Sequence, residues 1–292
     1  MGPEQAAPGG PRPRGWSFRY GAQALLLPAA LFLGFFFVVP ILRLVSRSVL
    51  DPHLTLRHYQ HLFAAPVYLR ILGNTFTLAL TVTAACLGCG YPTAYVITSA
   101  SPARRNALLV LILLPFWTNV LVRTYSWMLI LQTTGLVNKV LVDWLHLASA
   151  PLELMYNFTG VTVGMVHFLL PLMILILYSV MKSVDRTLVR AAEGLGANPW
   201  QAFRRVFLPL SLPGVRAATL LIFILALGFF VTPALLGGRR EVVIAMLVDT
   251  NFTEVLNWGF GSALAVMLLV VTVAGVLVFQ WLQGQHALRA LR

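Results

Sequence analysis

The segment RAAEGLGANPWQAFRRVFLPL, residues 190–210, decides how this chain is interpreted. It is polar and helically patterned, yet it lies between two long apolar runs. Asp185 is placed to cap a short helix before it. Apolar residues recur along that helix at i, i+3, i+4 and i+7, namely Leu188, Ala191, Ala192 and Leu195. Gly196 would end this helix and Asn198-Pro199 would begin another, so we predict two short helices joined at a glycine bend.

The composition places the rest of the chain in a membrane. Of the 292 residues, 59% are hydrophobic and only 10% are charged, whereas soluble domains carry about 25% charged residues. The net charge of +12 is spread between apolar runs rather than gathered in one patch. This spacing favours loops near anionic lipid headgroups over a nucleic-acid partner.

Six apolar runs are long enough to cross a bilayer as helices, which takes about 20 residues each. They cover residues 22–45, 73–98, 107–131, 157–181, 216–237 and 259–282. We therefore predict an all-α, polytopic membrane protein with six transmembrane helices. The run that begins at residue 22 is too long for a signal peptide, so we predict a retained first helix.

The distribution of Lys and Arg predicts the orientation. With both termini inside the cell, thirteen of the 21 basic residues lie on the cytoplasmic side and seven on the outer side, while Arg123 lies within a span. The positive-inside rule favours this arrangement. Both termini and residues 190–210 are therefore expected in the cytoplasm.

The spacing of residues 190–210 resembles the EAA loop of type I ABC importer permeases. The family pattern is E-A-A, three residues, G, nine residues, I, one residue and L-P. This chain matches it at Ala191, Ala192, Gly196, Leu208 and Pro209, with Val206 in place of the isoleucine. Arg190 stands where the family has its glutamate. Two hypotheses account for this difference: either Glu193 supplies the negative charge, or the ATPase partner carries an acidic counterpart.

Further stretches extend the resemblance over most of the chain. They are GYPTAYV at 90–96, LLPFWTNVLVRTYSWMLIL at 113–131, FFVTPALLGGRREVVIAMLV at 229–248 and NWGFGSALAVML at 257–268. Together they are similar to the first permease subunit of spermidine/putrescine-type importers. Relatives of that subfamily import other small solutes, so the resemblance indicates the type of transporter more firmly than its cargo.

The resemblance implies a domain organisation and a set of partners. Residues 1–21 are expected to form a disordered cytoplasmic tail, since their Pro- and Gly-rich start cannot pack a core. Residues 22–72 are expected to form the first helix and an outer loop, 73–283 the core permease domain with five transmembrane helices, and 284–292 a cytoplasmic tail. The coupling loop occupies 182–213. The implied partners are a homologous second permease, two ATP-binding subunits and an extracytoplasmic solute-binding protein in a bacterial inner membrane. ATP and Mg²⁺ are expected on the ATP-binding subunits, with no cofactor on this chain.

The coupling residues are expected to contact the ATPase. They are Arg190, Ala191, Ala192, Glu193, Gly196, Ala197, Trp200, Phe203, Leu208 and Pro209. Trp200 and Phe203 fall on one face of the second short helix, and large aromatic side chains are typical interface anchors. The alternative is an amphipathic segment that only lies on the membrane surface.

Other classes of protein fit the sequence less well. A nucleotide-binding loop needs G-x-x-x-x-G-K-[ST], but Lys139 and Lys182, the only lysines, lack that context. Ion-coupled transporters commonly carry carboxylates within their spans, and none lies mid-span here. No catalytic constellation is present, so the chain is not expected to be an enzyme. The pair Cys86 and Cys89 lies among small residues, which favours close helix packing over a metal site.

The residues that meet the cargo are predicted from their cost in a membrane and from their chemistry. The candidates are Trp117, Arg123, Tyr125, Trp127, His167 and Phe229. Arg123 either faces the path or pairs with backbone carbonyls or an adjacent subunit. The aromatic residues offer cation–π contacts to a polyamine, and His167 is suited to an interhelical hydrogen bond. The cargo is a polyamine, or alternatively an anionic or zwitterionic solute attracted by Arg123.

Overall fold

The computed structural model describes residues 18–50 and 53–289, and that part of the chain is built from helices. They are α1 (Phe18–Leu33), α2 (Val39–Val49), α3 (Arg57–Ala64), α4 (Pro66–Ser99), α5 (Pro102–Leu113), α6 (Val120–Leu131), α7 (Leu136–Asn138), α8 (Phe158–Ser183), α9 (Arg186–Gly194), α10 (Pro199–Ala202), α11 (Leu208–Leu227), α12 (Val231–Leu236), α13 (Ile244–Thr253) and α14 (Trp258–Arg289). Wider π-helical turns occupy Gly34–Val38, Lys139–Trp144 and Phe203–Phe207, and a 3₁₀ turn occupies Leu114–Trp117. The predicted all-α fold is confirmed.

Within the described residues, five helical stretches are long and apolar enough to cross a membrane. They are Leu26–Val49, Pro66–Ser99, Phe158–Ser183, Pro199–Leu227 and Trp258–Trp281. Each overlaps a predicted span. The predicted N-terminal tail, residues 1–21, lies mostly outside the described residues, and α1 already begins at Phe18. At the other end, α14 continues through Arg289 into the predicted C-terminal tail.

The predicted third span, 107–131, is not one continuous helix. Residues Pro102–Trp117 and Val120–Trp144 meet at an angle of 97°, and six crossings result when this bent pair counts as one. Thr118 is extended, and the Asn119 side chain accepts a hydrogen bond from the Leu121 amide at 2.8 Å. An asparagine cap of this kind starts a new helix. Hydropathy alone predicted the apolar length but not the break.

The predicted fifth span, 216–237, is displaced toward the N-terminus. Its helix already begins in the segment from Pro199 and ends at Leu227. Gly228 is the C-cap of this helix, and Pro233, which has no amide hydrogen to donate to the carbonyl four residues earlier, follows six residues after Leu227. Pro233 lies in the first turn of the separate helix α12.

The core lies where α4, α8 and α11 pack together. It contains Val82, Cys86, Met173, Leu177 and Ile222, all fully or almost fully buried. Small residues let the helices approach, as the cysteine pattern predicted. A Cβ atom on Gly90 would lie 2.9 Å from Met173, and one on Gly214 only 2.2 Å from Val180. Cys86 is part of this packing and Cys89 is exposed.

The bundle has two distinct ends. One end carries α9 and α10 beside the end of α4, and we call it the coupling-loop end. At the opposite end, α13 begins beside the start of α4, where the Ile244 amide donates to the Thr75 hydroxyl at 3.0 Å. The Asn74 side chain there donates to the Arg240 carbonyl at 2.8 Å. These links join the last third of the chain to its first long helix.

Candidate functional site

Helix α9 begins as its sequence predicts. Asp185 is the N-cap, and its carboxylate accepts a hydrogen bond from the Thr187 amide at 2.8 Å. That backbone hydrogen bond holds the pKa of the Asp185 carboxyl below its usual range. The predicted helix start is therefore confirmed in position and in chemistry.

Helix α9 ends at the glycine of the EAA pattern. The Gly196 amide donates to the Glu193 carbonyl at 3.0 Å, and the Ala197 amide donates to the Ala192 carbonyl at 3.0 Å. These two bonds form a Schellman cap, which requires a left-handed residue at Gly196. The φ angle of Gly196 is 92°. The spacing A-A, three residues, G therefore has a local physical reason here, because it closes the helix and turns the chain.

Helix α10 begins with the predicted Asn198-Pro199 pair. The Asn198 side chain accepts from the Gln201 amide at 2.8 Å, and the Gln201 side chain accepts from the Asn198 amide at 3.2 Å. This reciprocal capping box fixes the direction of the second helix. The helix then continues through the turn Phe203–Phe207 into α11, so the loop is joined rigidly to a membrane-spanning helix.

Apolar side chains of this segment point away from the bundle. Leu195 is 90% exposed and Trp200 is 65% exposed, and Leu188 is exposed as well. Arg190, Ala191, Glu193, Gly196 and Pro209 are exposed, whereas Ala192, Ala197 and Leu208 are half-buried. We call Leu188, Leu195 and Trp200 the exposed face of the coupling loop.

Phe203 does not share this exposure. It is half-buried and lies between Trp200 at 5.6 Å, Phe207 at 6.0 Å and Tyr95 at 5.2 Å, measured between ring centres. Phe207 is buried. The predicted aromatic pair is therefore divided: Trp200 faces outward, while Phe203 fastens the loop to α4.

Arg186 is a further residue of this site that the sequence did not indicate. Its guanidinium donates to the hydroxyl of Thr98 at 2.8 Å and to that of Ser99 at 3.2 Å. It also lies 5.5 Å from the ring centre of Tyr95 and 5.2 Å from that of Phe207. These contacts bind the start of α9 to the end of α4, 88 residues earlier in the chain. Cation–π contacts and charged hydrogen bonds reinforce each other here.

Arg123 holds the break in the third apolar segment. Its guanidinium donates to the Pro115 carbonyl, and to the Thr118 carbonyl at 3.0 Å. It also reaches the Thr118 hydroxyl at 3.2 Å and lies 5.0 Å from the Phe168 ring centre. Of the two roles predicted for Arg123, pairing with backbone carbonyls is the one that these contacts support. The Pro115 carbonyl also accepts from the Thr118 amide at 3.3 Å and from the Thr118 hydroxyl at 2.7 Å, so Arg123 reinforces a turn that is already hydrogen-bonded.

The other predicted cargo residues make contacts of their own. Phe229 contacts Phe168 at 4.8 Å, which brings it near Arg123. Trp127 donates its indole hydrogen to His167 Nδ1 at 3.1 Å, so His167 makes the predicted interhelical hydrogen bond. Trp117 and Tyr125 are exposed.

Comparison with known proteins agrees with this geometry. Residues 86–291 match the family described as "Binding-protein-dependent transport system inner membrane component". The chain belongs to this family. As a member of the binding-protein-dependent family, it is a multi-pass permease subunit of an ABC importer in the inner membrane, and a transport component rather than an enzyme. The predicted resemblance to ABC importer permeases is confirmed.

Individual relatives refine the picture. The chain is 36% identical to the spermidine/putrescine transport system permease protein PotB of Haemophilus influenzae over 256 residues, which cover 85% of this chain and 89% of that protein. It is also 36% identical to PotB of Escherichia coli K12 over 225 residues, 77% of this chain and 81% of that protein. The resemblance to spermidine/putrescine-type permeases is thereby confirmed as well.

A solved structure supports the fold. A bacterial ABC transporter involved in the import of the acidic polysaccharide alginate is similar, with a TM-score of 0.75 and 20% identity, over 91% of this chain and 96% of that one. At that identity, the likeness concerns the fold alone.

Proposed function

We propose that this chain forms half of the translocation path of a polyamine importer, with a homologous second permease as the other half. Two ATP-binding subunits dock at the coupling-loop end of the permease pair, one of them on the coupling loop of this chain, and a solute-binding protein delivers cargo at the opposite end. ATP and Mg²⁺ act on the ATP-binding subunits. The names of the relatives at 36% identity support spermidine or putrescine as cargo.

One observation carries the docking proposal. The loop is capped at both of its helices, and yet it leaves Leu195 and Trp200 exposed. Rigid, exposed apolar anchors beside half-buried alanines are typical of a preformed surface for a partner protein. The continuous helix from α10 into α11 provides a direct mechanical connection to the membrane-spanning bundle.

The proposed orientation places the coupling-loop end and both termini in the cytoplasm. The unequal distribution of Lys and Arg supports this orientation. It also places the links between α4 and α13 at the outer end, where the solute-binding protein docks. Arg190 and Glu193 are both exposed on α9, so either hypothesis about the missing family glutamate remains a prediction for the ATPase interface.

An anionic cargo is not favoured. That alternative depended on Arg123 facing the path, but its guanidinium is buried and engaged by Pro115 and Thr118. A buried arginine that already donates through Nε and Nη2 to protein oxygens gains less from an added anion.

Substitutions of one exposed tryptophan test the docking proposal. We expect Trp200→Asp to abolish co-purification of the ATP-binding subunits while the permease still inserts, because a carboxylate cannot fill an apolar pocket. Trp144, which is 72% exposed outside the coupling loop, supplies the matched control Trp144→Asp. If the ATP-binding subunits co-purify normally with Trp200→Asp, the docking proposal is wrong.

Competition uptake tests the cargo. Proteoliposomes with the full complex and its solute-binding protein are expected to take up radiolabelled spermidine, with inhibition by unlabelled putrescine and none by small organic anions. Inhibition by the anions alone would reject the polyamine assignment and leave the docking proposal intact.

A further inference from the structure

A cleft of about 620 Å³ opens between α6 and the segment that precedes α8. Tyr125, Met128 and Leu129 line it from α6, and Glu153 and Tyr156 line it from the other side. This volume falls within the range of small-molecule sites, which are mostly apolar with a few polar groups. The cleft therefore has the size and the apolar lining of a ligand site.

The charge of this cleft differs from that of its surroundings. Its only charged lining residue is Glu153, whose exposed carboxylate has no hydrogen bond or ion pair within the described residues. Four other clefts in the described part of the chain are each lined by at least one arginine: Arg47, Arg57, Arg204 and Arg240 are examples. In a chain of net charge +12, a cleft with a carboxylate and no basic residue favours a cation over an anion.

We propose that this cleft is a cation-binding vestibule that receives one ammonium end of the polyamine. Glu153 accepts charge-assisted hydrogen bonds from the ammonium group. The rings of Tyr125 and Tyr156 offer cation–π contact, and Met128 and Leu129 offer apolar contact to the methylene chain.

This proposal rests on the proposed function, and it supplies the negative partner that a polyamine needs. No carboxylate lies within a predicted span, so the sequence left the desolvation of a polycation without a negative partner. Glu153 lies in a loop by sequence, and only the fold brings it beside the tyrosine of α6. The vestibule thus offers a negative charge beside two tyrosine rings, with no basic residue in its lining.

Equilibrium binding to the assembled complex tests the site directly. The complex of both permeases and both ATP-binding subunits is placed in nanodiscs without the solute-binding protein, and binding of radiolabelled spermidine is measured. We expect Glu153→Gln to weaken binding about tenfold, the loss that removal of one charged hydrogen bond gives. Glu153→Asp should recover part of the affinity. Asp143→Asn, which removes an exposed carboxylate from the same connection outside the cleft, should leave binding unchanged.

The outcomes separate the site from the function. If the native complex imports spermidine and Glu153→Gln binds it as tightly as the native complex, the vestibule is wrong and the proposed cargo stands. If the native complex imports no polyamine at all, the proposed cargo itself is wrong.

If Glu153→Gln prevents assembly of the complex, a second measurement that keeps Glu153 tests the same cleft. Thr133 also lines the cleft, and Thr133→Cys keeps Glu153 in place. Spermidine is expected to slow the reaction of this cysteine with a cationic thiol reagent at least several-fold. A labelling rate that spermidine leaves unchanged, or a cysteine that the partner permease covers completely, would overturn the proposal.

Discussion

At the scale of single residues, two arginine side chains form hydrogen bonds within this chain. Arg186 ties α9 to the end of α4, and Arg123 ties the two halves of a broken helix. The caps at Asp185, Gly196 and Asn198 could be predicted, because each acts within a few residues of itself. Arg186 could not be predicted, because its partners lie 88 residues away in sequence and meet it only through the packing of α4.

Arg186 is expected to position the coupling loop rather than to touch the ATPase. Arg186→Met should lower receptor-stimulated ATP hydrolysis about 5- to 30-fold, the factor that corresponds to about 1–2 kcal/mol, while the ATP-binding subunits still co-purify. Arg104→Met, which changes an exposed arginine at the start of α5 outside the coupling loop, is the matched control and should have a smaller effect. Loss of subunit binding in Arg186→Met would show a direct interface role instead.

Arg123 is expected to stabilise the break without choosing the cargo. Arg123→Met leaves the carbonyls of Pro115 and Thr118 without this donor, which should cost about 1–3 kcal/mol and lower the melting temperature of the purified complex. Thr118→Val removes only a hydroxyl and should cost less. A change in the ratio of spermidine to anion uptake in Arg123→Met, at unchanged stability, would contradict this role.

At the scale of elements, hydropathy predicted which segments are apolar but not where their helices end. The third apolar segment turns by 97°, and its turn depends on the cap at Asn119 and the guanidinium of Arg123. The fifth ends early, at Leu227 with Gly228 as its C-cap, and Pro233 lies in the first turn of the next helix. Both helix ends depend on the local backbone and its hydrogen bonds. The summed hydropathy of a segment does not describe these. The coupling loop was predicted better, since its ends are set by local capping.

Two glycines of the coupling loop provide a matched test of that capping. Gly196→Ala forces a left-handed alanine, which should destabilise the loop by about 1–2 kcal/mol. Gly194→Ala lies in the helix and should stabilise it by about 0.5–1 kcal/mol. A Cβ atom at either position meets no atom within 4 Å, so the difference is one of backbone conformation. Hydrogen exchange of the amides in α9 measures it, and equal protection in both variants would contradict the Schellman cap.

At the scale of the whole molecule, composition and the EAA spacing were sufficient to predict an all-α importer permease, and family membership confirms it. They could not predict which apolar side chains face outward. Leu195 is exposed and Phe203 is not, because Phe203 lies against Tyr95 of α4. The same limit applies to Glu153, whose neighbours become visible only in the folded chain.

The most direct test of the docking surface is photo-crosslinking from the position of Leu195. A benzophenone side chain in place of Leu195 is compared with one in place of Leu145, which is 56% exposed outside the coupling loop. In membranes that contain the whole complex, we expect the first to cross-link to an ATP-binding subunit and the second not to. Cross-linking of the Leu195 position to lipid alone would instead show a segment that rests on the membrane surface, and would contradict the account.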